Sequence, residues 1–204
     1  MKKIMAAILT VIIVLGAVLV FMYVNNSENG ADYQSIVLVE YEYVHIEDLE
    51  KAADLVVLGT YLRDMKIYVR ETNGAPITSG EVSVSKVLKG DEDLKEISIN
   101  FYGGTVPIDE FMKTQNETVL KNMGLDKLSE KEKKLRTYSV VNEYGVIAEP
   151  NENYLIFLSY DKEQNLYFVL SDSYGMRAVN EKSEAYNPDT KEFESFEEIG
   201  ESEK

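Results

Sequence analysis

Two hydrophobic patterns divide the chain. From Ile4 to Val24 there are 21 residues without a charge, close to the roughly 20 that a helix needs to cross the hydrocarbon of a bilayer. After residue 35 the apolar positions come in short runs and in alternation with polar ones, which is the period of a strand. Ala53-Asp54-Leu55-Val56-Val57-Leu58-Gly59-Thr60-Tyr61 is a β-branched apolar run that predicts a buried strand. That strand resumes after an interruption in Lys66-Ile67-Tyr68-Val69-Arg70. Gly80–Leu88 alternates at Val82, Val84 and Val87 and predicts a strand with one buried face. Leu94–Tyr102 does the same at Ile97, Ile99 and Phe101. Further strands are expected at Ile36–Tyr43, Tyr138–Ala148, Asn153–Tyr160, Leu166–Leu170 and Met176–Val179. Turn chemistry separates them. In Thr72-Asn73-Gly74-Ala75-Pro76 the Asn-Gly pair tolerates positive φ and the proline withholds a ladder donor.

Two segments follow the helical period instead. Ile46, Leu49 and Ala53 fall on one face of a short helix. Residues 105–136 break the β pattern, and Asn116–Lys134 is rich in Lys, Glu and Leu. Val119, Leu120, Met123 and Leu128 lie near helical spacing, Gly124 splits the run, and Ser129-Glu130-Lys131-Glu132 opens a second helix. The reading is a helical insertion at 109–134. Its apolar face must pack on one end of the β domain, because isolated helices this short are marginal in water. The expected core is Val56, Leu58, Val82, Val84, Val87, Ile97, Ile99, Leu155, Phe157 and Val169. A slip of one residue in register would expose the whole set. Leu155 and Phe157 inward would place Tyr154 and Ile156 on the opposite face.

Charge sets the expected topology. Lys2 and Lys3 are the only charges before Glu28, so residues 1–3 are expected in the cytoplasm, 4–24 in the membrane and the rest outside. A secreted chain released by a signal peptidase is the alternative. The apolar run exceeds the roughly 7–15 residues of a signal peptide, and Asn29-Gly30-Ala31 lacks a small neutral residue at its first position. Residues 25–35 are polar and read as a linker, and 36–180 as the extracellular β domain. Residues 181–204 carry nine acids against Lys182, Lys191 and Lys204 and read as an acidic, flexible tail. The absence of cysteine excludes a lipoprotein anchor, a disulfide, a zinc-thiolate centre and a thiol nucleophile. Past the anchor, 19 basic residues face 36 acidic ones, a net charge of −17. Nucleic acid is therefore not an expected partner. Asn25-Asn26-Ser27 and Asn116-Glu117-Thr118 match glycosylation acceptors.

The order of these elements carries a resemblance. A helical lead-in precedes Ala53–Gly59, then come Val84–Gly90, Ile97–Phe101, Gly103-Gly104 and Asn153–Leu158. Over residues 46–179 the chain resembles small cell-surface proteins of Gram-positive bacteria. More distantly it resembles netrin-like modules and the tissue inhibitors of metalloproteinases. The resemblance implies a mainly β fold, a five-stranded OB-type barrel. Those inhibitors act through an N-terminal cysteine, which this chain lacks, so no functional residue carries over.

Little catalytic chemistry remains. His45 is the only histidine, so no metal pair or relay can form with a second. Asp91-Glu92-Asp93 and Asp109-Glu110 lack the calcium-loop spacing and read as solvated turns. No catalytic, cofactor-binding or metal-ligating residue is assigned, and no cofactor is expected. Six of the 14 tyrosines lie in the last third: Tyr138, Tyr144, Tyr154, Tyr160, Tyr167 and Tyr174. They supply cross-strand packing or an aromatic binding face. The expected function is a membrane-tethered extracellular binding module without catalysis, with a protein or cell-wall partner. The alternative is an envelope hydrolase working through paired carboxylates.

Overall fold

The computed structural model describes residues 33–37, 45–71, 74–91, 93–142, 145–196 and 199. The expected anchor at 4–24 and the linker residues 25–32 lie outside them. Among the described residues no helix is long and apolar enough to cross a membrane. In chain order the elements are β1 (Tyr33–Val37), α1 (Ile46–Ala52), β2 (Leu55–Val69), β3 (Pro76–Lys89), β4 (Glu96–Tyr102) and β5 (Gly104–Pro107). Then come α2 (Ile108–Lys113), α3 (Glu117–Asn122), α4 (Glu130–Leu135), β6 (Thr137–Asn142), β7 (Asn153–Asp161) and β8 (Leu166–Val169). The chain closes with β9 (Met176–Ala178), β10 (Glu184–Tyr186) and β11 (Phe193–Ser195).

Five strands pair in a ring. β2 pairs with β3, β3 with β4, β4 with β8, β8 with β7, and β7 returns to β2. All the pairs are antiparallel except β4 with β8. The interruption expected after Tyr61 is a set of bulges within one strand, with register shifts at Tyr61/Arg63 and Asp64/Lys66. These let β2 run on for 15 residues while bending. Gly103 and Gly104 follow β4 with φ of 114° and 124°, a backbone that favours glycine. They redirect the chain into β5, which with β6 and β1 makes a separate three-stranded sheet. β1 begins at Tyr33, inside the stretch read as linker, and pairs with β6 in parallel.

The hydrophobic pattern resolves into two layers on the ring. One face gathers Leu55, Val57 and Tyr61 from β2, Val82 and Val84 from β3, Ile97 and Ile99 from β4, and Ile156 and Leu158 from β7. The other face of β2 and β7 carries Val56, Leu155 and Phe157, all fully buried. Eight of the ten expected core residues are buried. Leu58 and Val87 are partly buried against the two clusters. The inward register expected for β7 is reversed: Tyr154 and Ile156 join Val82, Val84, Ile97 and Ile99, while Leu155 and Phe157 pack on the second face, which is covered as well.

The cover of the second face corrects the expectation of a flexible tail for residues 184–196 and 199; residues 197, 198 and 200–204 lie outside the described residues. Ile46 and Leu49 of α1 supply part of it, Tyr174 another part, and Ala185, Phe196 and Ile199 of the C-terminal segment a third. β10 and β11 pair as an antiparallel hairpin in the segment read as a flexible tail. The fully buried Arg177 side chain fixes this hairpin. Its Nε donates to the Tyr174 carbonyl at 2.7 Å, and Nη1 pairs with Glu194. Burial pulls the Arg177 guanidinium below its usual range, and Glu194 works against that shift. An acidic composition hides this segment, because only three of its apolar side chains join α1 and Tyr174 in the cover.

The helical insertion builds a third cluster. Val106, Ile108, Phe111, Leu125 and Tyr138 form it, with Phe111 and Tyr138 stacked at 3.7 Å between ring centroids. Leu120 and Met123 pack against it, together with Ile67 and Val69 of β2. The helix start expected at Ser129 is a complete capping box with Glu132.

Candidate functional site

The far half of β2, after its bulges, turns one row of side chains away from the insertion. Tyr68 lies opposite Ile77 of β3, which lies opposite Tyr102 of β4. Residues directly opposite in a sheet share a face, so these three stand in one row. Lys66, Ser79 and Asn100 form the next row, and Phe168 of β8 lies beside Asn100. Ile77, Ser79, Asn100 and Phe168 are buried.

Arg70 organises this face. Its Nη1 donates to the Tyr102 hydroxyl at 2.7 Å, and Nη2 meets Asp161 Oδ2 at 3.3 Å. The guanidinium carbon sits 5.1 Å from the Phe168 ring centroid, within cation–π range. Nε is buried and has no hydrogen-bond partner among the described residues, an uncommon condition for a charged group. Local turns hold both ends of the Arg70–Asp161 pair. Arg70 closes the β2–β3 turn by accepting from Gly74 N at 2.7 Å and donating to the Ala75 carbonyl at 2.8 Å. Asp161 Oδ1 accepts from Glu163 N and Gln164 N at 3.0 and 3.1 Å. The pair therefore ties the β2–β3 loop to the β7–β8 loop. Beside it, the Tyr68 hydroxyl donates to Asn100 Oδ1 at 3.3 Å, and Asn100 Nδ2 donates to the Tyr167 carbonyl. Lys66 Nζ lies 5.0 Å from the Tyr68 ring centroid. Burial pushes the Tyr68 hydroxyl up from its ordinary range, and Arg70 opposes the shift. The result is a strip of aromatic rings, amide and guanidinium across three strands and two loops.

Two clefts flank residues 145–148, and Tyr102 of the strip also borders the smaller one. Gly145 and Ile147 border both, and Ile147 is 82% exposed. One cleft, of about 390 Å³, opens between this segment and the Gly103–Thr105 turn. The other, of about 670 Å³, opens toward the C-terminal hairpin. Glu149, Glu152, Asp189, Lys191 and Tyr154 line the larger one. Glu149 N donates to the Tyr154 hydroxyl at 2.9 Å, and burial raises that hydroxyl above its ordinary range.

The residues singled out in the sequence fare unequally. Tyr138, Tyr154 and Tyr174 are buried. Tyr160 and Tyr167 are half-buried and pair at 5.0 Å across β7 and β8. Tyr144 lies outside the described residues. The aromatic strip is made instead by Tyr68, Tyr102 and Phe168. Its signal was present in the alternations Lys66-x-Tyr68-x-Arg70 and Asn100-x-Tyr102. His45 is exposed at the N-cap of α1. Asp91 accepts from Asp93 N in a turn, and Asp109 and Glu110 occupy the first turn of α2. Among the described residues no group of three or more His, Asp or Glu side chains could hold a metal ion. No known protein family, no curated protein and no solved structure matches this chain.

Proposed function

We propose that this chain is a membrane-tethered binding module of the bacterial cell envelope and that its ring of strands is an OB-type barrel. The first, second and third barrel strands are then β2, β3 and β4, and the fourth and fifth are β7 and β8. OB barrels bind oligonucleotides or oligosaccharides on the face of their second and third strands, between the loop after strand one and the loop after strand four. The single observation that supports the reading is the Arg70–Asp161 pair, which joins those two loops beside Tyr68, Tyr102 and Phe168. A net charge of −15 repels a polynucleotide. An envelope polysaccharide fits better, since its sugar rings stack on aromatic faces and its hydroxyls bond to amide and guanidinium groups. The charge-free run at 4–24 supports the tether, with the C-terminal domain outside the cell.

The test is co-sedimentation of the full chain, in detergent, with purified cell-wall sacculi. Binding is expected, with a loss of at least about tenfold in Tyr102→Ala and Arg70→Ala, each of which removes a large part of the strip. Absence of binding, or binding indifferent to both changes, sinks the reading.

Glu149 and Glu152 on the larger cleft favour a second reading, hydrolysis by paired carboxylates. Release of soluble sugar from sacculi by the intact chain, lost in Glu149→Gln and Glu152→Gln, would support it. No release from the intact chain excludes it.

A further inference from the structure

The charge of this protein is unevenly placed. Residues 109–136 carry seven basic side chains against six acidic, while the rest of the chain carries 14 against 30. Within 127–136 the balance is five basic against two acidic. The two acids there already have cations: Glu130 pairs with Lys133 at 2.7 Å, and Glu132 with Arg136 at 3.1 Å. Lys127, Lys131 and Lys134 are exposed and take part in none of these pairs. Lys131, Lys134 and Leu135 stand three and four residues apart in α4, on one side of the helix. Leu135 is 61% exposed, one of the five large exposed apolar side chains among the described residues. Lys131 and Lys134 beside an outward Leu135, with Lys127 in the turn that precedes the helix, make a small amphipathic segment in an otherwise acidic molecule.

The position of the chain entry gives this face an occupant. Arg136, next to Leu135, donates from Nη1 to the Tyr33 hydroxyl at 2.8 Å and lies 5.6 Å from the centre of its ring. The first described residue of the chain is thus fastened at the end of α4. Eight residues separate Tyr33 from Val24, the last residue of the charge-free run. Fully extended they span about 29 Å at most. Any face beside Tyr33 is held that close to the membrane, whereas the hairpin β10–β11 packs with a different cluster, on the second face of β2 and β7. We propose that the face of Lys127, Lys131, Lys134 and Leu135 docks on an anionic lipid surface, that of the membrane which tethers the chain. The lysines approach the headgroup phosphates and Leu135 enters the boundary beneath them. The acidic remainder of the chain, 30 acids against 14 basic residues outside 109–136, is repelled from the same surface. Docking therefore also sets orientation. The proposal rests on the tether read from residues 4–24.

The experiment uses the full chain reconstituted in vesicles. The protein has no cysteine, so Leu135→Cys and, separately, Phe193→Cys each accept one environment-sensitive nitrobenzoxadiazole label. Phe193 is 46% exposed in β11, outside the insertion, and serves as the control. In vesicles of equal phosphatidylglycerol and phosphatidylcholine, the label at 135 is expected to brighten and shift to the blue, and the label at 193 to stay as in water. The shift at 135 is expected to vanish in pure phosphatidylcholine and in Lys127→Gln/Lys131→Gln/Lys134→Gln. It is also expected to vanish at about 1 M salt, where screening reaches about 3 Å. A circular-dichroism melt shows that the triple variant is folded. An unshifted label at 135 in a chain that resists carbonate extraction overturns the docking and leaves the tether standing. Extraction of the chain by carbonate overturns the tether and the docking together. An equal shift in both lipids overturns the role given to the lysines.

Discussion

The ringed strands and the helical insertion bury themselves by different means. β7 holds five consecutive buried residues, Tyr154 to Leu158, because apolar side chains are covered on both of its faces. α3 and α4 hold none. The insertion depends on Ile108, Phe111 and Leu125 on one side and on local caps at Asn116 and Ser129. No residue of α2, α3 or α4 enters either cluster of the ring. The ring should unfold as one unit and the insertion should open separately, at lower free energy.

The strongest test of that contrast is Phe157→Ala. Phe157 is fully buried between the ring, α1 and the C-terminal hairpin. Loss of a phenyl ring there costs about 3–5 kcal/mol. Urea melts of the variant should show a lower midpoint for one transition that includes the hairpin. A midpoint within error of the parent would mean that the second face of β7 contributes little.

Tyr61 sharpens the comparison through pH. Its side chain is fully buried in the ring, and its hydroxyl donates to Asp64. Burial, then the Asp64 hydrogen bond, raise the hydroxyl well above its ordinary value of 10.0. The folded state thus holds this proton more tightly than the unfolded state. The stabilisation is fully present below about pH 10 and is lost as pH rises above it. Unfolding free energy measured from pH 9 to 12 should fall less steeply in Tyr61→Phe than in the parent. Equal slopes would show that the buried hydroxyl has no part in the alkaline loss.

Much of the ring was legible in the sequence, for a stated reason. Alternation at Val82, Val84, Ile97 and Ile99 fixes which side is inward, and a helix face at Ile46 and Leu49 needs no tertiary information. The second cover was not read out, although its signal was there. A run of apolar residues as long as Tyr154–Leu158 implies burial on both faces, and something must cover the second. Ala185, Phe196 and Ile199 do so, but they are scattered among acids that dominate any count of composition. The candidate binding strip was hidden differently. Arg70 meets Tyr102 at 32 positions along the chain, Asp161 at 91 and Phe168 at 98, only because β2, β4 and β8 come together in the ring. The larger cleft joins residues from 145–154 and 173–191 by the same means.

Leu125→Ala probes the other side of the comparison. Leu125 is fully buried in the insertion cluster, in the turn after Gly124. The surrounding chain is short and able to collapse, so a cost near the low end, about 2 kcal/mol, is expected. Hydrogen exchange of residues 117–135 should then accelerate by about 30-fold, 1.36 kcal/mol being a factor of ten. Exchange in β2, β3 and β7 should stay as it was. Acceleration shared by the ring would merge the two regions into one cooperative unit.

The smallest effect belongs to the cap of α4, and it asks whether local chemistry alone orders the insertion. Ser129 Oγ accepts from Glu132 N at 3.3 Å, while the Glu132 carboxylate accepts from Ser129 Oγ at 2.6 Å and from Ser129 N at 2.9 Å. These bonds favour the charged carboxylate, with the hydroxyl contributing most, and hold it below the ordinary glutamate value of 4.5. A depressed value means that the stabilisation is present above the ordinary value and is lost as pH falls through the lowered one. Ser129→Ala should cost about 1 kcal/mol of helix stability. In a carbon-detected titration it should move the Glu132 midpoint upward and leave the Glu130 midpoint, set by Lys133, where it was. If the Glu132 midpoint does not move, Arg136 rather than the capping box holds the carboxylate. The end of α4, with Leu135 on it, would then be ordered by its contact to Tyr33 and not by its own first turn.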